Sequence, residues 1–243
     1  MSVALGLAML GFQFSIGAVN DLIDEPLDAR MKPAKPIPAG LITRQAARAI
    51  AVMSGAAGIV LSAAYGPVIL VLGVAMYACG LVYDRFLKPT RFAGLCFAVA
   101  FPLLPVYAWW AATGELPPRA SVLLPIAALA GPMLQLANGL VDLEGDRAQG
   151  LAGPVVRLGR RRALVLLAGL QAVIHGLAWI TLVGGADVPA TSLVAVVAAS
   201  LLAAVGVWLS AAAEPAMRER GWQAQASAIV LLGAGWVLAA TPS

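Results

Sequence analysis

Two stretches of the sequence carry the same polar pattern, an asparagine followed at intervals of four by two aspartates. The two copies, whose first residues stand 118 positions apart, are Asn20, Asp24, Asp28 and Asn138, Asp142, Asp146. Residues at i, i+4 and i+8 share one face of an α-helix, so each copy should present an amide and two carboxylates in one direction. Mg²⁺ prefers such oxygen ligands and is commonly bound by one or two carboxylates plus substrate phosphates. If the two faces meet, the pattern predicts a magnesium site that also takes a diphosphate.

The composition indicates that this chemistry takes place in a membrane. Hydrophobic residues make up 61% of the chain and charged residues only 12%, with a mean hydropathy of +0.88, which is far more apolar than a soluble domain. Apolar runs near the roughly 20 residues that a helical span needs lie close to 2–20, 46–64, 67–83, 93–112, 121–141, 163–183, 190–212 and 223–241. The short alternating segments of a β-barrel are absent. The sequence therefore predicts an all-α integral membrane protein, a bundle of about eight transmembrane helices forming a single domain over residues 1–243.

The basic residues are unevenly distributed between the predicted loops. The loops after the first, third, fifth and seventh spans hold 15 of the 16 lysines and arginines, and Arg119 is the exception. The positive-inside rule makes the crowded side cytoplasmic, so both aspartate motifs are predicted to open on the cytoplasmic side. Insertion topology and anionic lipid explain the basic balance, and no nucleic acid partner is needed.

Cysteine, histidine and the outer aromatic residues add little chemistry. Cys79 and Cys96 fall in or near apolar spans, which does not indicate a disulfide framework or a thiolate metal site. His175 lies in the middle of a span, where a role in helix packing is expected. Tyr107 and the two tryptophans that follow it could line the site, but an aromatic belt at the outer interface explains them as well or better.

Two basic segments could bind a diphosphate near the first motif. Pro26, inside that motif, is expected to bend or end its helix. Residues 32–40 then place two lysines among three prolines, which predicts a stiff, extended segment that holds Lys35 over the metal site as a diphosphate clamp. Farther along, Tyr83 and Lys88 end the third span, where a phenol and an ammonium could bind the leaving diphosphate.

Taken in chain order, these elements resemble the UbiA-type intramembrane prenyltransferases. The resemblance covers most of the chain and is carried by Asn20-Asp21-x2-Asp24-x3-Asp28, the basic proline-containing element from Lys35 to Gly40, the pair Tyr83 and Lys88, the pair Asp142 and Asp146, and the segment from Pro154 to Gly159. It implies a ring of transmembrane helices around a central cavity with an opening toward lipid. The ordered set is much more specific than any single motif.

The resemblance also implies an activity, which is magnesium-dependent transfer of a prenyl group from a prenyl diphosphate to an aromatic or other lipophilic acceptor, with release of diphosphate. Two Mg²⁺ ions would be held by Asn20, Asp24, Asp28, Asp142 and Asp146. The four aspartates in this set and Lys88 are expected to be catalytic. The expected substrate-binding residues are Asn20, Asp21, Lys35, Tyr83, Lys88 and Arg147. The sequence leaves the acceptor and the prenyl chain length open.

Two departures from the family pattern bear on these expectations. The family has nine spans, with one helix before the helix that carries the first motif, whereas only eight fit here. The missing helix is expected from an extension of the chain or from a partner. The second departure is Lys35, where the family often has arginine, so a bidentate fork is replaced by a point charge.

Other classes of membrane protein fit less well. The CDP-alcohol phosphotransferases keep their carboxylate pairs in one short stretch with Asp-Gly-x2-Ala-Arg, which this sequence lacks. A cation-coupled transporter also places carboxylates in membrane helices, but its sites usually lie near the midplane on broken helices, and these motifs lie at helix ends. An inactive, truncated relative is the remaining alternative.

Overall fold

Long helices joined by short connections make up the described chain. The computed structural model describes residues 2–117, 119–183 and 188–240. Within these ranges there is no strand, and the elements in order are α1 (Ser2–Met31), α2 (Arg44–Ala63), α3 (Pro67–Val82), a π-helical turn (Tyr83–Leu87), α4 (Ala93–Thr113), α5 (Ala120–Val141), α6 (Leu143–Ala148), α7 (Pro154–Leu158), α8 (Arg160–Val183), α9 (Ala190–Ser210) and α10 (Pro215–Ala240). In the same ranges, eight helices are long and apolar enough to cross a membrane, α3 being counted together with the π-helical turn. The predicted all-α membrane class and the number of spans are confirmed.

The first helix extends well beyond the apolar run that predicted it. The run ends near residue 20, but α1 continues through Pro26 to Met31, and the backbone N–H of Lys32 still donates to the Asp28 carbonyl at 2.7 Å. Pro26 therefore does not end the helix. An apolar run marks where side chains leave hydrocarbon, whereas a helix persists as long as its backbone hydrogen bonds are made.

The last helix begins before its apolar run for the same reason. The run starts near residue 223, but α10 starts at Pro215 and thus includes Arg218 and Arg220. The expectation that both arginines belong to a loop is wrong, and the Arg218 side chain is fully buried. Residue 241, the end of that run, lies outside the described residues.

Two compact units can be distinguished within the chain, and the first comprises Met1–Lys88 with Pro102–Pro117. In this unit α1 packs along α2, whose buried face consists of small residues at intervals of three or four, namely Ala47, Ala51, Gly55, Gly58 and Ser62. A Cβ atom added at Gly58 would lie 2.7 Å from the Phe12 ring. Small residues thus allow the two helices to approach closely, as is common between membrane helices.

Hydroxyl groups connect the helices of the first unit. The Ser15 hydroxyl donates to the Ala51 carbonyl at 2.6 Å and lies 2.7 Å from the Tyr77 hydroxyl. The Ser62 and Tyr107 hydroxyls lie 3.1 Å apart. Because Tyr107 is 2% exposed, its expected place in an aromatic belt is wrong, and the side chain belongs to the core.

The second unit comprises Pro89–Phe101 with Pro118–Ser243 and is organised around α5, α8, α9 and α10. The α9 helix again buries small residues along one face, and a Cβ atom at Gly206 would lie 3.0 Å from the Gly221 carbonyl oxygen on α10. The Nδ1 atom of His175 on α8 lies 3.1 Å from the Ser200 hydroxyl on α9. This contact matches the helix-packing role expected for the histidine.

Candidate active site

The first aspartate motif lies on the C-terminal turns of α1. Because α1 is uninterrupted through Met31, Asn20, Asp24 and Asp28 occupy one helical face, as their spacing predicts. Asp24 is half-buried, and Asp28 is only 6% exposed. Carboxylates at such a position need compensating charge or donors, and side chains from outside α1 provide them.

The segment after α1 folds back in consecutive tight turns. The backbone N–H of Lys35 donates to the Lys32 carbonyl at 2.9 Å, and that of Ala39 donates to the Lys35 carbonyl at 2.9 Å. The prediction of an extended segment is therefore wrong. Proline fixes only its own φ, and a φ near −65° also suits the first central position of common turns. The compact path returns Lys35 to α1.

Lys35 connects two acids of the first motif. Its Nζ atom donates to Asp21 Oδ1 at 2.8 Å and to Asp28 Oδ2 at 2.7 Å. Burial alone would lower the pKa of Lys35, but the hydrogen bonds to Asp21 and Asp28 and their negative charges outweigh it, so the pKa lies above its ordinary value of 10.5. Lys35 is therefore an ammonium at neutral pH, and two of its three N–H donors are directed at the motif.

Lys88 contacts the remaining aspartate of this face. It follows the π-helical turn Tyr83–Leu87 and donates through Nζ to Asp24 Oδ2. Its backbone N–H donates to the Tyr83 carbonyl at 2.9 Å, which is the wider spacing of a π-helix. Such turns are rare and are frequent at functional sites. Here the turn brings the Tyr83–Lys88 element to the first motif, and Tyr83 itself is half-buried.

Asp84 belongs to the same cluster, although sequence reasoning gave it no role. It is 6% exposed, and its Oδ1 atom accepts a 2.9 Å hydrogen bond from Asn20 Nδ2. The available signal was an acid at the end of an apolar span, between Tyr83 and Lys88. Within the first unit the structure thus joins the predicted site residues through contacts with Lys35, Lys88 and Asp84.

The second aspartate motif has a different backbone. The α5 helix ends at Val141, Asp142 has φ −89° and ψ 4°, and α6 begins at Leu143. Asn138 is exposed on α5, whereas Asp142 and Asp146 are half-buried. The expectation of one uninterrupted helical face therefore holds for the first copy and fails for the second. The Asp146 N–H still donates to the Asp142 carbonyl at 2.8 Å, which keeps the two aspartates one turn apart.

A buried arginine that sequence reasoning missed supports the second motif. Arg218 on α10 donates to Glu144 Oε1 at 3.2 Å and also to Glu144 Oε2. It donates further to the carbonyls of Val141, at 3.4 Å, and Ala213, at 2.8 Å. Glu144 lies between the two aspartates on α6, so the arginine connects the end of α5, the start of α6 and α10. Arg147, predicted to bind substrate, is exposed on α6.

The donors of the first motif fit a hard divalent cation. Among the described residues, no three Asp, Glu, His or Cys side chains already converge on a metal-sized site, and lysines contact the carboxylates of Asp21, Asp24 and Asp28. The side-chain atoms of this motif that could bind a metal are nevertheless carboxylate or amide oxygens, which suit Mg²⁺. In addition, Asp84 Oδ2 is buried and has no hydrogen-bond partner in the described part of the chain.

Comparisons with known sequences assign the chain to one protein family. The model of the UbiA prenyltransferase family matches residues 1–226. The chain is 32% identical over 162 residues to a digeranylgeranylglyceryl phosphate synthase of Korarchaeum cryptofilum, covering 65% of this chain and 57% of the relative. It is 30% identical over 155 residues to a 4-hydroxybenzoate octaprenyltransferase of Vibrio campbellii, covering 61% and 53%. The chain thus spans little more than half the length of these relatives.

Solved structures share the fold at low sequence identity. A UbiA homolog from Aeropyrum pernix K1 matches with a TM-score of 0.74 and 16% identity, over 97% of this chain and 88% of that one. A UbiA homolog from Archaeoglobus fulgidus bound to GPP and Mg²⁺ matches with a TM-score of 0.70 and 18% identity, over 98% and 88%. These likenesses show the fold class alone.

Proposed function

Because the chain belongs to the UbiA prenyltransferase family, we propose that it transfers a prenyl group from a prenyl diphosphate to an aromatic or other lipophilic acceptor in the membrane. The observation that carries this proposal is the pairing of Lys35 and Lys88 with the acids of the first motif. Two lysines from separate segments and an acidic helical face form a site with both signs of charge. Such a site suits an anionic substrate that arrives with divalent cations.

Two Mg²⁺ ions are proposed to be held by the residues of the two motifs, namely Asn20, Asp24, Asp28, Asp142 and Asp146. The family supports this, since a UbiA homolog of the same fold has been solved with GPP and Mg²⁺. Bound Mg²⁺ would act as a Lewis acid that neutralises the negative charge developing on the diphosphate. The two motifs share this task in the proposal, and each supplies carboxylate ligands.

Lys35 and Lys88 are proposed to exchange their carboxylate partners for phosphate oxygens when substrate binds. Lysine suits this exchange because its ammonium is a compact point charge on a flexible stem. Charge-assisted hydrogen bonds to a phosphate are stronger than neutral ones, and they stabilise the leaving group as its charge grows. Asp21, Tyr83 and Arg147 are proposed to complete the diphosphate site.

In the reaction itself the allylic C–O bond breaks and its electron pair leaves with the diphosphate. The acceptor then bonds to the allylic carbon and loses a proton. Water would compete for the carbon centre, and the apolar surroundings of a membrane protein limit that side reaction. The distribution of basic residues supports a diphosphate site that opens on the cytoplasmic side.

The test is release of diphosphate by purified, detergent-solubilised protein. Geranyl, farnesyl and geranylgeranyl diphosphate are each supplied with acceptors of the two types handled by the relatives, 4-hydroxybenzoate and a prenylated glyceryl phosphate. Release must require Mg²⁺, and mass spectrometry of the product identifies the acceptor. Glu25→Gln is the matched control, because Glu25 neighbours Asp24 but pairs with Arg44.

The outcomes separate the alternatives. Magnesium-dependent release that is lost in Asp24→Ala and in Asp142→Ala but kept in Glu25→Gln, together with a prenylated acceptor in the mass spectrum, establishes prenyl transfer. No release with any donor and acceptor overturns the proposal and favours a cation transporter or an inactive relative.

A further inference from the structure

Asp84 is a buried acid with a specific partner in the first motif. It lies in the π-helical turn Tyr83–Leu87, is 6% exposed, and accepts the 2.9 Å hydrogen bond from the Asn20 amide nitrogen. A buried carboxylate is retained at a membrane helix end only when its environment compensates it, and its default interpretation is functional.

The contact with Asn20 is one of two matched pairs. Asn20 contacts Asp84 and Asp24 contacts Lys88, and both pairs are separated by 64 positions. Asn20 and Asp24 are one helical turn apart on α1, while Asp84 and Lys88 are separated by the same four positions across the π-helical turn. This segment therefore contacts two successive residues of the motif. Asp84 accepts a hydrogen bond from Asn20, and Lys88 donates one to Asp24.

A carboxylate determines which way an asparagine amide faces. It has only acceptor atoms, whereas the amide has an NH₂ donor on one side and an oxygen acceptor on the other. The Asn20 NH₂ group must therefore face Asp84, which turns its Oδ1 atom away from Asp84. Mg²⁺ binds the amide oxygen and not the nitrogen, so this orientation is the one that a metal ligand requires.

The second oxygen of Asp84 points independently to a bound group. Asp84 Oδ2 is buried and has no hydrogen-bond partner in the residues that the structure describes. Buried polar atoms are nearly always satisfied by protein, water or a ligand. A hydrated cation beside Asn20 would bring water O–H donors to this atom.

We propose that Asp84 is a positioning residue that holds the Asn20 amide with its oxygen presented to Mg²⁺. This inference rests on the proposed function, because it assumes that Asn20 is a magnesium ligand. Asp84 acts through Asn20, and its role is to set metal affinity. Ligands that depend on outer partners in this way lose roughly 10–100-fold in metal affinity when the partner is changed.

The test compares Asp84→Asn, Asp84→Ser, Asn20→Ala and the double variant Asp84→Asn/Asn20→Ala. Asparagine has the shape of aspartate but can donate to Asn20 Oδ1 as readily as accept from its nitrogen, so the amide orientation is no longer imposed. Binding of Mg²⁺ is measured by calorimetry in the presence of geranyl thiodiphosphate, an unreactive analogue. The magnesium half-saturation and kcat of diphosphate release are measured in parallel. Thermal unfolding checks that each variant is folded, and Glu25→Gln is the acidic control.

The expected result for Asp84→Asn and Asp84→Ser is an affinity for Mg²⁺ lower by roughly 10–100-fold, with kcat at saturating Mg²⁺ within about threefold of wild type. The double variant should bind Mg²⁺ as Asn20→Ala does, because the two residues act as one unit. An affinity within about twofold of wild type in Asp84→Asn, or additive losses in the double variant, overturns the inference while leaving the proposed function intact. If the wild-type protein binds no Mg²⁺, both the proposed function and this inference fail.

Discussion

The two aspartate motifs have similar sequences but are held in place in different ways. The first lies on the uninterrupted helix α1, and lysines from two other segments neutralise its carboxylates. The second is divided by a helix break at Asp142, and the fully buried Arg218 holds the acid between its two aspartates. In the first motif, cations contact the aspartates themselves. In the second, the cation contacts Glu144, the acid between the two aspartates.

The difference follows from the chemistry of the two cations. A lysine ammonium is a flexible point charge that can move from a carboxylate to a phosphate, whereas arginine offers a planar fork that is fixed by several acceptors at once. The first motif is therefore suited to exchanging partners when a ligand binds. The second is suited to keeping the helix break at Asp142 in one conformation.

The largest effect is expected when one aspartate is removed from each motif. Asp24→Ala and Asp142→Ala should each lower kcat/KM for diphosphate release by roughly 10³-fold, since each removes a proposed Mg²⁺ ligand and with it part of the proposed stabilisation of the leaving charge. Initial rates at saturating Mg²⁺ test this. Near wild-type activity in Asp142→Ala would mean that the first motif suffices alone.

Removal of the buried arginine should affect stability before chemistry. Arg218→Met should lower the free energy of unfolding by about 1–3 kcal/mol, because two backbone carbonyls lose their donor, whereas the Glu144 side chain is 57% exposed and can be solvated. Thermal unfolding in detergent measures the loss, and hydrogen exchange should rise in α6 in particular. The matched control is Arg220→Met, since Arg220 is exposed two residues away. Equal effects of both substitutions would remove the special role of Arg218.

Substitution of Lys35 should affect substrate binding more than structure. Lys35→Met should raise KM for the prenyl diphosphate by roughly 10-fold, and Lys35→Arg should keep or improve binding because its fork suits phosphate. Steady-state kinetics with one donor and varied concentration test this. A loss in Lys35→Arg as large as in Lys35→Met would show that the residue's contact with Asp21 and Asp28, and not its charge, matters.

The smallest expected effect is the pH dependence of the Lys35 ion pairs. The pKa of Lys35 is raised in the folded protein, so its pairs contribute stability that is complete below the ordinary pKa of 10.5. That contribution is lost as the pH rises through the higher folded pKa. The stability difference between wild type and Lys35→Met should thus be constant from neutral pH to about pH 10 and then shrink. A difference that already falls between pH 7 and 9 would contradict this.

The sequence determined the class of the protein and most of the first motif. Eight apolar runs correspond to the eight membrane-length helices of the described chain, because the length of a helical span is set by the bilayer. The i, i+4 spacing was enough to place Asn20, Asp24 and Asp28 on one face, since α1 is a regular helix. Periodic local geometry can be read directly from one segment of sequence.

Contacts between distant segments were decided only by the tertiary structure. Lys35 reaches Asp21 and Asp28 because the proline-containing segment turns back, and Asp84 reaches Asn20 across 64 positions. Arg218 is 74 positions from Glu144, and its sequence neighbours do not distinguish it from Arg220. A spacing pattern encodes direction along one helix, but the partner of a buried charge is chosen by how separate helices pack, and that packing depends on the whole chain at once.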